Sequence, residues 1–352
     1  MPLDLPLPES ADDLRTRWRA PKAEQPRLRA RDAADALRIS EAELVAAQCG
    51  LIARPLVMDI ERLFEGLPAV GRVMALTRND SCVHERKGAY EPARFGPMAG
   101  IVLGPDIDLR IFPKHWKHLY AVTDVNVDPA RQSLQVFDAT GTAVHKIFAL
   151  DATDMAAWSN LVESLLPSVP TALAVDRPQT VERAVNGNPN RDALLADWAA
   201  IKDVHEFHGM LKRNEVDALQ AMQLVDGVYT QPLTAAATNE MLMLAAERQV
   251  PIMVFVGNAG LIQIHTGHVH RVVRMDHWVN VLDPDFNLHL REDHIAHAFA
   301  VTKPTSDGPL HSVELFDRDG GRIATFFGKR KPGEPELESW RGIVAELPRQ
   351  KA

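Results

Sequence analysis

Between Arg191 and Lys212, Leu194, Trp198 and Ile201 recur at the three- and four-residue steps that gather apolar side chains on one side of an α-helix. The spacing predicts one helical stripe through the whole segment. Carried forward by sevens, the stripe reaches His205 and His208, so both imidazoles are expected where an aliphatic core residue would stand. A buried neutral imidazole needs partners for both ring nitrogens, or one partner and a metal. The pair therefore reads either as core histidines bonded to the main chain or as a ligand site.

Elsewhere the period shifts along the chain. Residues 1–20 are Pro-rich and charged and are expected to drape over the surface. From Arg31 to Cys49 the positions Ala34, Leu37, Ile39, Ala42, Leu44 and Val45 predict helices, with Ser40 placed to cap the second and Glu41 and Glu43 suited to its first turn. Short β-rich runs follow at Val73–Leu76, Cys82–His84, Gly100–Leu103, Asp108–Phe112, Tyr120–Val125, Ser133–Asp138 and Ala143–Ala149. Gly, Pro, Asn and Asp separate them, as in an antiparallel sheet. Met155–Leu166 returns to helical spacing around Trp158. Residues 167–190, with Pro167, Pro170, Pro178 and Pro189, read as a linker.

The two sides of that linker are alike. Val73-Met74 and Ile252-Met253 are 179 residues apart, as are Asn79 and Asn258, Gly88 and Gly267, and Leu109 and Leu288; Ser133–Asp138 matches Ser312–Asp317 at the same step. Trp158 matches Trp340 at 182, and Ser40–Gly50 matches Asp217–Gly227 at 177. The expected fold is α+β and internally duplicated, two similar halves each with a large antiparallel β-sheet flanked by helices. The division is an N-terminal repeat at 1–170, a linker at 171–190 and a C-terminal repeat at 191–352. Subtracting 177 from His205 and His208 gives Leu28 and Arg31, and subtracting 179 from His289 gives Arg110, so the halves do not carry equal sites.

Composition narrows the function. With 352 residues, 46% of them apolar, the chain can build about two domains. A net charge of −8 gives no global field toward nucleic acid or an anionic membrane. No run approaches the roughly 18 apolar residues of a membrane span, and the N-terminus lacks the regions of a signal peptide, so a cytoplasmic protein is expected. Cys49 and Cys82, the only cysteines, are too few for a disulfide framework or a four-thiolate zinc site. No phosphate loop, nucleophile elbow or nucleotide fingerprint is present, and no third ligand sits near His205 and His208 at the spacing of a metal hydrolase.

Several stretches together carry a resemblance: Thr77-Arg78-Asn79 with Val83-His84-Glu85, Ile107–Phe112 with His115-Trp116, Asp203-Val204-His205, Ile252–Asn258, Leu288-His289-Leu290, and Lys303-Pro304-Thr305-Ser306-Asp307-Gly308. Over nearly the whole chain the sequence resembles the cytoplasmic haem-utilisation proteins of bacteria, the hemin-degrading factor or haem-transport family of the HemS/HmuS type. The resemblance implies haem b held non-covalently, in keeping with the lack of a Cys-x-x-Cys-His motif. It makes His205 the axial iron ligand and places Arg110 on the opposite face, where a permanently charged guanidinium holds an oxygen ligand by hydrogen bonds. The weaker alternative for Arg110 is a strand arginine paired with a nearby carboxylate. Phe112, two residues on, is expected to face the same side as Arg110 and pack on the porphyrin. Lys303 and Arg330 are implied as cations for the haem propionates at the pocket mouth.

Departures from the family pattern bear on the same site. Ala218, Thr325 and Phe327 stand where relatives are expected to carry Arg, Gln and Tyr, which loosens propionate anchoring. His84 matches a histidine implied as ligand of a second haem, while Met98 occupies the place of that site's other histidine; read alone, His84 is a surface strand residue. His265, His268 and His270 are expected on one strand and read as an adventitious metal site. Two functions stay open. One is a carrier that receives imported haem and hands it on, with His208 as a transfer ligand and a haem oxygenase or reductase downstream. The other is an enzyme that opens the porphyrin ring with electrons from a separate donor.

Overall fold

The computed structural model describes residues 11–24, 30–125, 129–169, 172–177, 187–330 and 333–350. Its first half runs α1 (Ala11–Glu24), α2 (Ala30–Leu37), α3 (Glu41–Ala46), β1 (Ala53–Leu56), α4 (Ile60–Val70), β2 (Gly71–Arg78), β3 (Cys82–Ala89), β4 (Arg94–Phe95), β5 (Gly100–Leu103), β6 (Asp108–Ile111), β7 (His118–Asp124), β8 (Arg131–Phe137), β9 (Ala143–Thr153) and α5 (Met155–Ser164). The second half runs α6 (Arg191–Ala199), α7 (Glu206–Arg213), α8 (Ala218–Leu224), β10 (Thr230–Leu233), α9 (Ala237–Glu247), β11 (Ile252–Gly257), β12 (Leu261–Gly267), β13 (Val272–Met275), β14 (Trp278–Leu282), β15 (Phe286–Arg291), β16 (His297–Thr305), β17 (Gly308–Phe316), β18 (Arg322–Gly328) and α10 (Glu338–Glu346). Helix for helix and strand for strand the order is the same, which is the duplication the repeat spacing predicts.

The chain forms two compact units that exchange short segments. Unit 1 comprises Met1–Thr77, Lys87–Gln179 and Asn258–Leu261; unit 2 comprises Arg78–Arg86, Thr180–Gly257 and Ile262–Ala352. A single cut at 171–190 therefore misses two crossings, each beginning at an Asn turn. In unit 2 the amide of Asn79 donates to the carbonyls of Gly257 (3.1 Å) and Ile323 (2.8 Å), and its oxygen accepts from the main-chain N–H groups of Ser81 and Cys82. In unit 1 Asn258 repeats the arrangement, donating to Val144 O at 2.8 Å and accepting from Gly260 and Leu261.

In unit 1, β1, β7, β8, β9 and β2 pair antiparallel in that order, and β4, β5 and β6 form a second antiparallel run. Leu63, Phe64 and Leu67 of α4 and Trp158, Leu161 and Val162 of α5 pack with Val73, Leu134, Val136 and Ile147 in one core. Ser40 forms a capping box with Glu43 at the start of α3. The expectation of a surface-draping start is corrected for residues 11–20, which belong to α1. Leu14 and Trp18, one turn apart, give that helix an apolar side; Leu14 is buried and Trp18 packs with Ala33, Ala34 and Leu37 of α2. Residues 1–10 lie outside the described residues. Of the expected linker, residues 172–177 follow unit 1: Asp176 N–H donates to Ala139 O at 2.7 Å.

In unit 2, β10, β16, β17, β18, β11 and β12 pair in that order, and β3 (residues 82–86), β15, β14 and β13 form a second run, all antiparallel. Alternation along β16 sends Ala298 and Ala300 toward α9 and α10, whose Met241, Leu242, Trp340 and Ile343 fill that core. Phe299 and Val301 face α6, α7 and α8. A fully buried side chain of this size contributes roughly 1.5–3 kcal/mol. At Gly328 a Cβ would stand 2.6 Å from Trp340 Cγ, so only glycine lets α10 seat its indole there. No helix among the described residues is long and apolar enough to cross a membrane.

Candidate functional site

The helical stripe predicted from Arg191 to Lys212 breaks, and the break makes the site. Asn190 caps α6, which buries Leu194 and Trp198 and ends at Ala199. The Trp198 indole donates to Thr302 O at 2.9 Å, stacks on Tyr229 at 5.7 Å and meets Phe207 edge-on at 5.0 Å. The chain then turns through residues 200–204 and restarts as α7. The new register buries Phe207, Met210 and Leu211 and turns His205 and His208 to solvent. The expectation that both imidazoles point into the core is therefore wrong: counting by sevens assumed an unbroken helix, and the turn resets the phase.

Asp203 builds that turn. Its Oδ1 accepts from the main-chain N–H of His205 at 2.8 Å and bonds the ring Nδ1 at 2.6 Å. A carboxylate only accepts, so Nδ1 carries the hydrogen and Nε2 presents a lone pair. The imidazole is 88% exposed, fixed at one nitrogen and accessible at the other. Both bonds from His205 hold the Asp203 carboxyl below its ordinary range, and the Arg330 charge adds to the effect. Behind the turn, the tip joining β16 and β17 holds Lys202: Ser306 donates to Lys202 O through its main-chain N–H (3.0 Å) and its hydroxyl (3.2 Å). Arg330 Nη1 lies 3.8 Å from Asp307 Oδ2 in the same tip.

Unit 2 thus gathers His205, Lys303 and Arg330 around α7, but in different roles from those expected. Arg330 is largely covered and lies beside Asp307 rather than standing free at a mouth. Lys303 is buried. Its Nζ donates to Glu314 Oε1 at 2.5 Å and sits 4.4 Å above the Phe207 ring. Arg322 reaches the other Glu314 oxygen at 3.0 Å. Burial alone would raise the Glu314 carboxyl, but Arg322 and Lys303 outweigh it and hold it at about 2; burial lowers Lys303 against Glu314's pull. The surface position assumed for Lys303 is corrected accordingly: its charge is spent on a carboxylate inside the protein. Glu314 was legible as a charge in the middle of an apolar strand; Asp203 was legible only as part of a motif. Ala218 opens α8, Thr325 is buried on β18, and the Phe327 ring lies 5.8 Å from Lys303.

Arg110 stands on β6 in unit 1, about a third exposed, and is ion-paired to Asp108 and hydrogen-bonded to Leu109 O. Burial raises the Asp108 carboxyl more than Arg110 lowers it. Phe112 falls one residue beyond the end of β6, half-buried, with its N–H on Gly260 O at 2.9 Å, so strand alternation does not carry it to the face of Arg110. His84 is not a surface residue: it is fully buried on β3, its ring 5.0 Å from Phe286. Met98 is exposed. β12 ends at Gly267, which leaves His268 and His270 in the following loop with rings 6.1 Å apart, while His265 is buried and stacked on Phe286 at 3.8 Å. Among the described residues no group of three or more His, Cys, Asp or Glu side chains is arranged to hold a metal ion.

Comparison with known proteins agrees with this architecture. The model of the haemin-degrading HemS.ChuX domain matches twice, over residues 38–165 and 215–347. The hemin transport protein HemS of Yersinia enterocolitica is 37% identical over 327 residues, 93% of this chain and 94% of that protein. The crystal structure of holo-PhuS, a heme-binding protein from Pseudomonas aeruginosa, superposes with a TM-score of 0.94 at 43% identity, covering 97% of this chain and all of the other. That of ChuS, an E. coli heme oxygenase, gives 0.85 at 37% identity over 95% of this chain and 99% of the other.

Proposed function

The chain belongs to the haemin-degrading HemS/ChuX family, and from that membership we propose that it binds haem with His205 as the axial iron ligand and serves mainly to receive and pass on haem for iron acquisition. One observation carries the choice of residue. His205 offers one accessible nitrogen, and no group of three or more metal-binding side chains is assembled around it among the described residues. A bare ion would be poorly held by one imidazole. A metalloporphyrin brings its own equatorial nitrogens and asks the protein for an axial donor. When bound, haem supplies the oxygen chemistry; the protein's part is to ligate, orient and release it. The helix under the ligand is pinned by Phe207, Met210 and Leu211, so His205 is offered from a fixed base.

His208, also exposed and one turn further along α7, gives the iron an alternative donor and suits exchange more than a single fixed geometry. With Lys303 committed to Glu314, only Arg330 of the two cations expected for the propionates keeps some exposure, which also favours release. Arg110 is proposed to act on the iron's oxygen chemistry. The second reading, oxidative opening of the porphyrin, is favoured by the 37% identity to ChuS, described as a heme oxygenase. Titrating haem into wild type and His205→Ala tests the ligand: the variant loses or shifts the haem absorption band, and an unchanged band at unchanged affinity refutes His205. Mixing haem-loaded protein separately with reductant and oxygen under catalase, and with an apo haem oxygenase, separates the two functions. Fast turnover to an open tetrapyrrole with no transfer would make the protein an enzyme first.

A further inference from the structure

We infer that Asp203 is the positioning residue of this site: it locks His205 in the Nδ1–H tautomer and strengthens Nε2 as an iron donor. The inference rests on His205 being the axial ligand and adds what makes it a good one. One oxygen, Asp203 Oδ1, holds both the His205 main-chain N–H at 2.8 Å and the ring at 2.6 Å. The ring is exposed and meets no core residue that would fix its rotamer, so this bond decides its orientation. A carboxylate on the far nitrogen of a ligating histidine fixes the tautomer and raises the basicity of the coordinating nitrogen.

Two further observations support the assignment. In the first half, the positions corresponding to Asp203 and His205 are Pro26 and Leu28, so the carboxylate is missing where the imidazole is missing. And Asp203 is itself held. Its turn is fastened through Lys202 O to the main-chain N–H and hydroxyl of Ser306.

The test uses full-length Asp203→Asn, Asp203→Ala and His205→Ala. In apo protein, nitrogen-15 spectra of the imidazoles report the tautomer. In ferrous haem-loaded protein, the iron–histidine stretching frequency and the midpoint potential report donor strength. Wild type shows Nδ1–H. Asp203→Asn keeps an acceptor and the tautomer but loses the charge, so the stretch falls and the potential rises. Asp203→Ala loses the tautomer preference and binds haem about 10- to 100-fold more weakly. If tautomer, stretch and potential are unchanged in both Asp203 variants while His205→Ala abolishes the imidazole-ligated spectrum, Asp203 merely shapes the turn and the inference falls. If His205→Ala itself changes nothing, the ligand assignment falls and takes the inference with it.

Discussion

The side-chain amide of Asn79 donates to the main-chain oxygen of Ile323 at 2.8 Å, a bond between residues 244 apart in the chain. Its second hydrogen goes to Gly257 O and its oxygen takes the N–H groups of Ser81 and Cys82, which saturates the amide. Asn79→Ala is expected to cost about 1–3 kcal/mol, because it strips partners from groups that water reaches poorly. Urea denaturation measures it, and a midpoint equal to wild type would show the bonds to be idle.

The Lys303–Glu314 pair distinguishes a structural cation from a propionate anchor. Lys303→Met leaves Glu314 buried with one cation fewer and is expected to lose about 3–5 kcal/mol of stability, most of it recovered in Lys303→Met with Glu314→Leu. Haem affinity of the stable double variant is expected to match wild type. A large loss of affinity there would return Lys303 to the haem.

Arg110→Ala is expected to leave the haem band in place while changing the pH dependence of the ferric spectrum and slowing oxidative turnover. Spectra across pH and a single-turnover assay with a reductant in air check both. If neither moves, Arg110 serves only Asp108.

Acid should destabilise the fold. His145 in unit 1 accepts from the Tyr90 hydroxyl at 2.6 Å and bonds Thr77 Oγ1 at 2.9 Å; His265 in unit 2 is stacked on Phe286. Burial lowers each imidazole from about 6.5 to about 3. Between those values the unfolded chain binds protons that the folded one refuses, so stability is full above pH 6.5 and falls as pH drops toward 3, by roughly 1 kcal/mol per pH unit for each ring. At the corresponding positions of unit 2, Thr77, Tyr90 and His145 are replaced by Val256, Val269 and Ala324, all buried. Thr77→Val, Tyr90→Phe and His145→Ala combined are expected to flatten part of the slope. Denaturation midpoints from pH 7.5 to 4.5 measure it, and an unaltered slope would remove His145 from the account.

The duplicated α+β fold was legible because its signals are local and stated twice: strand alternation, the Ser40 cap, the matched Trp158 and Trp340. The site was legible as a set of residues and much less as a geometry. His205 was picked out for a burial it does not have, since a break in a helix has no period to betray it, and the helical signal that survives lies in Phe207, Met210 and Leu211. Lys303 looked exposed because polar neighbours in sequence, Thr305 to Asp307, form a tip while Lys303 itself points to the Glu314 side of the sheet. Contacts such as that of Ser306 with Lys202 O join distant segments, and no spacing along the chain announces them.

The exchanged segments also govern the order in which this protein can be made. Unit 1 takes in residues 258–261, so a nascent chain that has delivered everything up to Gln179 still lacks a piece of its first unit. Completion waits until the ribosome is well into the second half, and by then Arg78–Arg86 has been held back for a unit not yet synthesised. The ancestral gene doubling thus produced two copies that can no longer be separated by a cut in the linker: expressed apart, each fragment would carry its own Asn turn and find none of the carbonyls it was built to meet.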